Sequence, residues 1–376
     1  MVDISKLARE PIGKLSPCFH GGNIWRVSKK YNIPLSEIVD FSVSLNPMGT
    51  SEKAKKSIRE HIGLVKDYPP PNAEPLTEKL AKYVGARTDN IIVGNGTTEL
   101  IHTFVNVFLE KKQKTLIPAP TFGEYTVATL KAGGQPVFFK CNSEAGFRLD
   151  LNKLTDLISG DTKIVFLCNP NSPTGNLLKK TSVPDFVRKA YNKNVFVFMD
   201  EAYFEFVEDG RRYSMVDHVN RFDNLFVLRS LTKFFGLAGL RIGFGVASPD
   251  IIELLRKGQV PWSVNSLAMF AAETAVEDAA FIEKSRAFTL RSKKQLQRLL
   301  QGIRWLKVYP SEANFFLCEI KTPNLTSTRL KEALEQKGIL IRDCSNFEGL
   351  NNKFFRVAVK KPRENRKLVE FLNSFN

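Results

Sequence analysis

The feature that most constrains the fold is an alternation, between about residues 90 and 246, of short apolar runs with helix-length amphipathic stretches. Seven runs are rich in β-branched and aromatic residues: Ile91–Val93, Thr115–Ile117, Val137–Phe139, Ile164–Leu167, Val195–Phe198, Leu225–Leu228 and Ile242–Val246. Continuous apolar runs are typical of strands that are buried on both faces, and helical crossovers join parallel strands. The pattern predicts an α/β fold with a mostly parallel seven-stranded sheet between helices.

The regions on either side of this alternation have a different character. Residues 1–75 are rich in Pro and Gly and predict an N-terminal arm with a short helix at Glu52–Ile62. Residues 76–265 form the predicted large domain, and a long helical region without Gly or Pro follows at 266–300. Residues 301–376 predict a smaller C-terminal α+β domain. Its predicted strands are Asn314–Ile320, Ile339–Arg342 and Phe354–Val359.

The net charge bears on the class of partner. The chain has 55 Lys and Arg against 39 Asp and Glu, a formal charge of +16. Such a charge suits nucleic acid or attracts small anions toward a cleft. Because the basic residues are spread along the chain, with no RNA-binding or zinc-finger motif, we expect a small anionic substrate and no nucleic acid.

Other partners and sites are disfavoured by simple counts. No apolar run approaches the roughly 18 residues that a membrane span needs, and the N-terminus lacks a signal-peptide profile. We therefore expect a cytoplasmic protein with no membrane partner. The five cysteines are scattered without CxxC spacing: Cys18, Cys141, Cys168, Cys318 and Cys344. This spacing favours reduced thiols and predicts no metal site.

Ligands of α/β sheets bind at the carboxyl ends of the strands, so the segments that follow the predicted strands are the candidate site. Five are chemically distinctive: Gly94–Glu99, Pro118–Tyr125, Asn169–Gly175, Asp200–Tyr203 and Arg229–Arg241. Glycines, hydroxyls and a helix N-terminus in the first suit a phosphate, and an aromatic side chain in the second could stack on a planar ligand. Each segment alone has an ordinary structural explanation, such as an N-cap turn. Their order along the chain is what indicates a site.

Two of these segments carry charges in apolar surroundings. Asp200 and Glu201 end an apolar run, and carboxylates there are costly to bury without a cationic partner. A protonated ring nitrogen would be such a partner. Lys233 lies in an apolar, glycine-rich stretch, which favours a nucleophilic amine.

The ordered set resembles the fold-type I pyridoxal 5′-phosphate (PLP) enzymes, from about residue 20 to the C-terminus. The resemblance implies that Lys233 carries the PLP cofactor covalently and moves protons, and that Asp200 pairs with the pyridinium nitrogen. It also implies further cofactor contacts. These come from Thr97, Thr98, Ser230 and Arg241 at the phosphate, with Tyr68 reaching it across a homodimer interface, from Phe122 stacked on the ring, and from Asn171, Ser172 and Tyr203 near the ring hydroxyl. Gly96 and Thr232 are further cofactor-binding residues that the resemblance implies.

One position departs from the family pattern. The family usually has Asn where this chain has Ser172, in the sequence Ser-Pro-Thr-Gly. The contact of that Asn with the ring hydroxyl would fall to Ser172, to Asn171 or to Tyr203 alone. Serine can still donate one hydrogen bond, so we expect altered electronics of the ring rather than loss of the cofactor.

Within these enzymes the chain is similar to the histidinol-phosphate aminotransferase branch, and more narrowly to the threonine-phosphate decarboxylases of cobalamin (vitamin B12) biosynthesis. The narrower resemblance rests on five segments: His20–Asn23, Asp40–Pro47, Arg229–Phe234, Pro261–Asn265 and Ile341–Asn346. It implies decarboxylation of L-threonine O-3-phosphate to (R)-1-amino-2-propanol O-2-phosphate and CO2. An aminotransferase is the alternative, and a PLP-domain regulator is a remote one.

The resemblance also implies which residues bind the substrate. Arg342 and Arg356 lie on neighbouring predicted strands, and the planar guanidinium group suits carboxylate and phosphate. By resemblance they hold the two anionic groups, aided by His20 and Asn46 from the arm. Which arginine takes the phosphate stays open, as does the choice between threonine phosphate and serine phosphate.

Overall fold

The computed structural model describes residues 7, 10–13, 15, 20–179 and 181–375. The predicted reduced Cys18 lies outside these residues, whereas Cys141, Cys168, Cys318 and Cys344 are free thiols. Of the helices described, none is long and apolar enough to cross a membrane. The described residues contain no group of three or more His, Cys, Asp or Glu side chains that could hold a metal ion.

Strands and helices are numbered in chain order. The strands are β1 (Val39–Asp40), β2 (Ile91–Gly94), β3 (Lys114–Ala119), β4 (Gln135–Lys140), β5 (Thr162–Cys168), β6 (Phe196–Asp200), β7 (Leu225–Ser230), β8 (Gly243–Val246), β9 (Leu306–Val308), β10 (Phe315–Ile320), β11 (Ile339–Leu340), β12 (Arg342–Asp343) and β13 (Phe354–Ala358). The helices are α1 (Glu10–Gly13), α2 (Ile24–Tyr31), α3 (Glu52–Glu60), α4 (Glu74–Val84), α5 (Gly96–Phe108), α6 (Glu124–Ala132), α7 (Leu151–Asp156), α8 (Val183–Tyr191), α9 (Pro249–Gly258), α10 (Ser266–Glu277), α11 (Ala279–Gln301), α12 (Ser327–Glu335) and α13 (Pro362–Asn373).

The central sheet has seven strands in the order β2-β8-β7-β6-β5-β3-β4. Strand β8 is antiparallel to both of its neighbours, and the other pairs are parallel. The predicted α/β fold with a mostly parallel seven-stranded sheet is therefore confirmed.

The sheet is apolar on both faces because helices cover both. On strand β6, Val197 and Met199 pack into one apolar cluster, which includes residues of α4, α7, α8 and α10. Phe198, between them, packs into a second cluster with α5, α6 and α9. Side chains of a strand point alternately to opposite faces, so a run that is apolar at every position requires a cover on each side.

The C-terminal part forms a second, four-stranded sheet in the order β12-β13-β10-β9, which packs on α11, α12 and α13. The predicted strand Ile339–Arg342 divides in two here. Its first half, β11, pairs in parallel with β1 of the N-terminal arm, and its second half, β12, pairs with β13. The arm thus forms main-chain hydrogen bonds with β11, and the hydrophobic pattern of the C-terminal sequence does not predict this pairing.

The helical region predicted at 266–300 consists of two helices, α10 and α11. The break is at Asp278, whose side chain accepts a hydrogen bond from the Phe281 amide at the start of α11. An Asp that caps a new helix ends the previous one without Gly or Pro. In the arm, the helix predicted at Glu52–Ile62 ends at Glu60 and is followed by a short 3-10 turn.

Candidate active site

The start of α5 forms a cradle with strands β7 and β8. Gly94, Gly243 and Ser230 are neighbours across the ends of three strands, and α5 begins two residues after Gly94. In the part of the chain that the structure describes, the side chain of the N-cap residue Asn95 makes no capping hydrogen bond, which leaves the amides of the first turn for a ligand. A Cβ atom on Gly96 would lie 2.7 Å from Nη2 of Arg241, so the guanidinium group lies directly against this turn.

Hydroxyl groups complete the cradle. Thr97 and Thr98 lie in the first turn of α5, and the Cβ position of Gly243 is 3.0 Å from the Thr97 amide nitrogen. Ser230 Oγ and Thr232 Oγ1 are 2.7 Å apart and buried. Backbone N–H groups, hydroxyls and an arginine at a helix N-terminus are the donor set that binds phosphate. The cradle therefore fits the phosphate group of PLP.

Asp200 is buried at the carboxyl end of β6. Its Oδ2 accepts a 2.7 Å hydrogen bond from the Tyr125 hydroxyl, and its Oδ1 accepts one of 2.9 Å from the Ala202 amide. Burial raises the pKa of Asp200, while these two hydrogen bonds and the charge of Lys233 act in the opposite direction. A buried carboxylate held by two donors suits a cationic partner such as a protonated ring nitrogen.

Lys233 follows β7 and is half-buried, with apolar side chains next to it in the chain, Phe234 and Phe235, fully buried. Its Nζ lies 5.9 Å from the centre of the Tyr203 ring. The backbone carbonyl oxygen of Lys233 accepts a hydrogen bond from the backbone N–H of Asn46, which fixes the loop that carries Lys233. An amine held in this setting is a suitable attachment point for a carbonyl cofactor.

Phe122 brings the predicted ring-stacking position next to the arm. Its ring lies 5.7 Å from that of Tyr125, in an edge-on arrangement, and 5.7 Å from the imidazole of His20. A residue predicted to stack on the cofactor and a residue predicted to bind the substrate are thus side by side.

The two arginines predicted to bind substrate are directly opposite each other on strands β12 and β13. Arg356 is buried, and donates to Ser172 Oγ at 2.8 Å and to the Ser42 carbonyl oxygen at 2.9 Å. Its Nε is buried without a hydrogen-bond partner among the described residues. Arg342 donates to Asn346 Oδ1 at 3.0 Å and to the carbonyl oxygen of Asp343. Opposite residues of an antiparallel pair share a face, so both guanidinium groups belong to one side of this sheet.

A cavity of about 450 Å³ lies between the arm and strand β12. His20, Asn23 and Ser42 line it from the arm, and Arg342 and Asn346 from the C-terminal part. Two carboxylates also line the cavity, but Glu335 is paired with Arg26 and Lys331, and Asp343 accepts hydrogen bonds from hydroxyl groups of α12. The remaining imidazole, amide, hydroxyl and guanidinium groups suit an anionic group of a small molecule.

Two predicted site residues, Asn46 and Asn171, are engaged elsewhere in the described structure, whereas Tyr68, predicted to contact a partner subunit, is exposed. The amide of Asn46 donates to the Phe234 carbonyl oxygen and to Ser285 Oγ, and its oxygen accepts from the Met48 amide. Tyr68 is 81% exposed and its ring packs on Trp262 at the surface.

The side chain of Asn171 is held within its own loop. Its amide donates to the Pro120 carbonyl oxygen and to Thr174 Oγ1, and its oxygen accepts from the Thr121 hydroxyl. Of the other two residues considered for the ring hydroxyl, Ser172 accepts a hydrogen bond from Arg356 and Tyr203 is buried, so the three alternatives stay predictions.

The acid that follows Asp200 has a different partner from the one that the sequence suggested. Glu201 is buried and its Oε2 lies 2.8 Å from Nε of Arg229, whose Nη1 lies 2.9 Å from Glu205. Because consecutive strand residues face opposite ways, Asp200 faces Tyr125 while Glu201 faces the other layer. This alternation was available in the sequence and could have separated the two acids.

Sequence reasoning missed two contributors to the site. Tyr125 holds Asp200, and Glu124 lies between two histidines, 2.8 Å from Nε2 of His20 and 3.3 Å from Nε2 of His102. These contacts join segments that are far apart in the chain, and the local pattern gave no signal for them.

Comparison with known proteins identifies the family. The sequence profile of aminotransferase classes I and II matches residues 36–372. The chain belongs to the class I and II aminotransferase family. Members of this family depend on PLP, and so this aminotransferase-like enzyme uses PLP, which the donor set described above fits.

Two relatives illustrate the range of activities nearby. The chain is 39% identical over 359 residues to a putative threonine-phosphate decarboxylase of Caldanaerobacter subterraneus subsp. tengcongensis, with 96% of this chain and 94% of that protein covered. It is 34% identical over 347 residues to a histidinol-phosphate aminotransferase of Methanococcus aeolicus, with 92% of each covered.

Solved structures of both kinds share the fold. The L-threonine-O-3-phosphate decarboxylase of Porphyromonas gingivalis is 28% identical, with a TM-score of 0.78 over 90% of this chain and 99% of that one. A histidinol-phosphate aminotransferase of Sinorhizobium meliloti, solved in complex with PLP, is 20% identical, with a TM-score of 0.87 over 98% and 96% of the two chains. At 20% identity, the Sinorhizobium meliloti structure supports the shared fold and no closer relationship.

Proposed function

We propose that this PLP-dependent enzyme decarboxylates L-threonine O-3-phosphate to (R)-1-amino-2-propanol O-2-phosphate and CO2, and so supplies the aminopropanol linker of cobalamin. The observation that carries the proposal is the cross-strand pair of Arg342 and Arg356 beside the cavity lined by His20. A substrate with a carboxylate and a phosphate needs two such anion sites close together. The 39% identical relative named as a putative threonine-phosphate decarboxylase supports the same reading.

The substrate would be held by side chains from both ends of the chain. Arg356 lies beside Ser172, and its Nε has no hydrogen-bond partner within the described ranges, while Arg342 lines the cavity together with His20. Each guanidinium group can offer parallel N–H donors to an anion, which fixes orientation as well as affinity.

Lys233 and Asp200 would carry the chemistry. The cofactor, when bound, supplies a ring that accepts the electron pair released when a bond to the substrate Cα breaks. Asp200, buried and held by Tyr125, would keep the ring nitrogen protonated. Lys233 would anchor the cofactor and return a proton to Cα, which gives an amine product. Ser230, Thr232 and Arg241 would hold the phosphate of the cofactor.

A histidinol-phosphate or related aminotransferase is the second candidate. Relatives with that name reach 34% identity over 92% of this chain. The two arginines also suit 2-oxoglutarate, the co-substrate of such reactions, because it has two carboxylates. The two reactions differ in the bond at Cα that breaks and in where the proton returns.

We further propose a cytoplasmic homodimer. Exposed apolar side chains gather near the predicted contact of Tyr68 with a partner subunit, and Ile62, Val65, Val260 and Trp262 are each about half exposed or more. An exposed apolar surface of this kind is typical of a subunit interface. In this proposal the arm, residues 1–75, packs both on the C-terminal domain and at that interface.

Product analysis tests the proposed reaction. The purified holoenzyme would be incubated with O-phospho-L-threonine in one sample and with histidinol phosphate and 2-oxoglutarate in another, with Lys233→Ala as the control for both. We expect 1-amino-2-propanol phosphate and CO2 in the first sample, neither of them with the variant. Glutamate in the second sample with no amine in the first would establish the aminotransferase instead.

A further inference from the structure

One carboxylate outside the predicted site joins the arm to the core. Glu124, the first residue of α6, is buried, and its two oxygens are divided between two histidines. His20 comes from the arm and is half exposed, whereas His102 comes from α5, the helix that begins at the phosphate cradle.

Glu124 is close to the candidate active site. It lies two residues after Phe122, whose ring packs against the imidazole of His20. The histidine is therefore fixed on two sides, by the ring of Phe122 and by the Glu124 carboxylate. His20 also lines the cavity that it shares with Arg342.

The contact is more than is needed to cap a helix. An acidic residue in the first turn of α6 is stabilising near the helix N-terminus by itself. That effect requires no histidine from a segment 104 residues away. The buried carboxylate, by contrast, gives the arm a charged anchor in the core, and hydrogen bonds to charged groups are the stronger ones.

We propose that Glu124 is a positioning residue that fixes His20 of the arm beside the cofactor, so that the imidazole meets the phosphate of the substrate. The proposal rests on the proposed function for the role of His20 toward a phosphorylated substrate. The anchoring of the arm does not depend on it. His102 holds the second oxygen and so keeps the carboxylate oriented toward the arm.

The test compares Glu124→Gln with wild type, each as holoenzyme, and uses Glu370→Gln as the matched control. Glu370 is exposed on α13, in the C-terminal part of the chain. The first measurement is hydrogen exchange of the amides of residues 21–31. We expect faster exchange in Glu124→Gln and no change in Glu370→Gln, because only the former loses the charged anchor. This readout requires no substrate.

The second measurement is steady-state kinetics with whichever phosphorylated substrate the wild type turns over. We expect KM to rise about tenfold in Glu124→Gln with kcat changed much less, since one charge-assisted hydrogen bond positions a binding group. In a His20→Ala background the same substitution should have no further effect on KM. Glu124→Asp, which keeps the charge, should recover part of the loss.

Unchanged exchange overturns the proposal, and so do additive effects of Glu124→Gln and His20→Ala on KM, because the carboxylate would then act without the histidine. If Glu124→Gln does not fold, His20→Leu removes the contact from the arm side, because leucine cannot donate a hydrogen bond to Glu124, and takes its place in the exchange measurement, which then decides the proposal. If the wild type turns over no phosphorylated substrate, the proposed function fails, and exchange alone decides whether Glu124 anchors the arm.

Discussion

The hydroxyl of Tyr125 donates a 2.7 Å hydrogen bond to Oδ2 of Asp200, and both side chains are buried. Tyr125 lies on α6, one turn after Phe122, so a single short segment provides both the ring-stacking residue and the partner of the carboxylate. Burial raises the pKa of Asp200, and the hydrogen bond from Tyr125 opposes that rise. The phenol thus helps to keep the carboxylate ionised toward the ring nitrogen.

Tyr125→Phe should therefore lower kcat by about tenfold or more with little change in KM, because a hydrogen bond to a buried charged group is lost. The pKa of Asp200 should rise further, which weakens its pairing with the cofactor. Steady-state kinetics and the pH dependence of the absorbance of the bound cofactor measure both effects. Tyr191→Phe, at a half-exposed position on α8, is the control. An unchanged kcat in Tyr125→Phe would exclude this role.

Arg356→Lys tests the anion site. Lysine cannot keep the hydrogen bonds to Ser172 and to the Ser42 carbonyl oxygen while also offering parallel donors to a carboxylate or phosphate. We expect KM for the substrate to rise by about tenfold to 100-fold, as two charge-assisted hydrogen bonds are weakened. The same exchange at Arg363, exposed on α13, should leave KM unchanged. Equal kinetics in the two variants would remove Arg356 from the proposed site.

Arg229→Met tests the buried ion pairs behind the sheet. Without the guanidinium group, Glu201 and Glu205 are left buried, and breaking such a pair from one side costs about 3–5 kcal/mol of unfolding free energy. Urea unfolding measures the loss. Arg188→Met, in an exposed pair with Asp185, should cost about 0–1 kcal/mol. If the two variants lose similar stability, the buried network is not a structural requirement.

Acid should weaken the arm contact through Glu124. The hydrogen bonds from His102 and His20 lower the pKa of the Glu124 carboxyl from about 4.5 to about 2. Because the folded value lies below the unfolded one, the stabilisation is complete above about pH 4.5 and is lost as the pH falls toward 2. We expect this contact to contribute about 1–2 kcal/mol to the free energy of unfolding, because solvent around the half-exposed His20 screens the interaction.

Urea unfolding at several pH values between 3 and 6 measures this pH-dependent contribution to the free energy of unfolding. The stability gap between wild type and Glu124→Gln should narrow as the pH falls, while the gap to Glu370→Gln stays constant. Parallel curves for Glu124→Gln and wild type would contradict the assignment.

The sequence determined the α/β fold. An apolar run such as Ile164–Leu167 is typical of a strand that is covered on both faces, and seven such runs joined by helix-length amphipathic stretches predict a mostly parallel sheet. The carboxyl ends of parallel strands meet at one edge, so the segments with Asp200 and Lys233 could be placed in one site from the sequence alone. The roles of both residues toward the cofactor stay predictions.

Only the tertiary structure decided which side chains pair. Glu201 forms an ion pair with Arg229, Asp200 accepts a hydrogen bond from Tyr125, and Glu124 contacts a histidine of the arm. It also divided the predicted strand Ile339–Arg342, because the arm provides a partner for its first half. Hydrophobic periodicity shows which face of its own helix or strand a residue occupies, and it carries no information beyond that element. A contact between segments about 30 to 100 residues apart depends on how the elements pack against one another, and no local pattern in the chain records that.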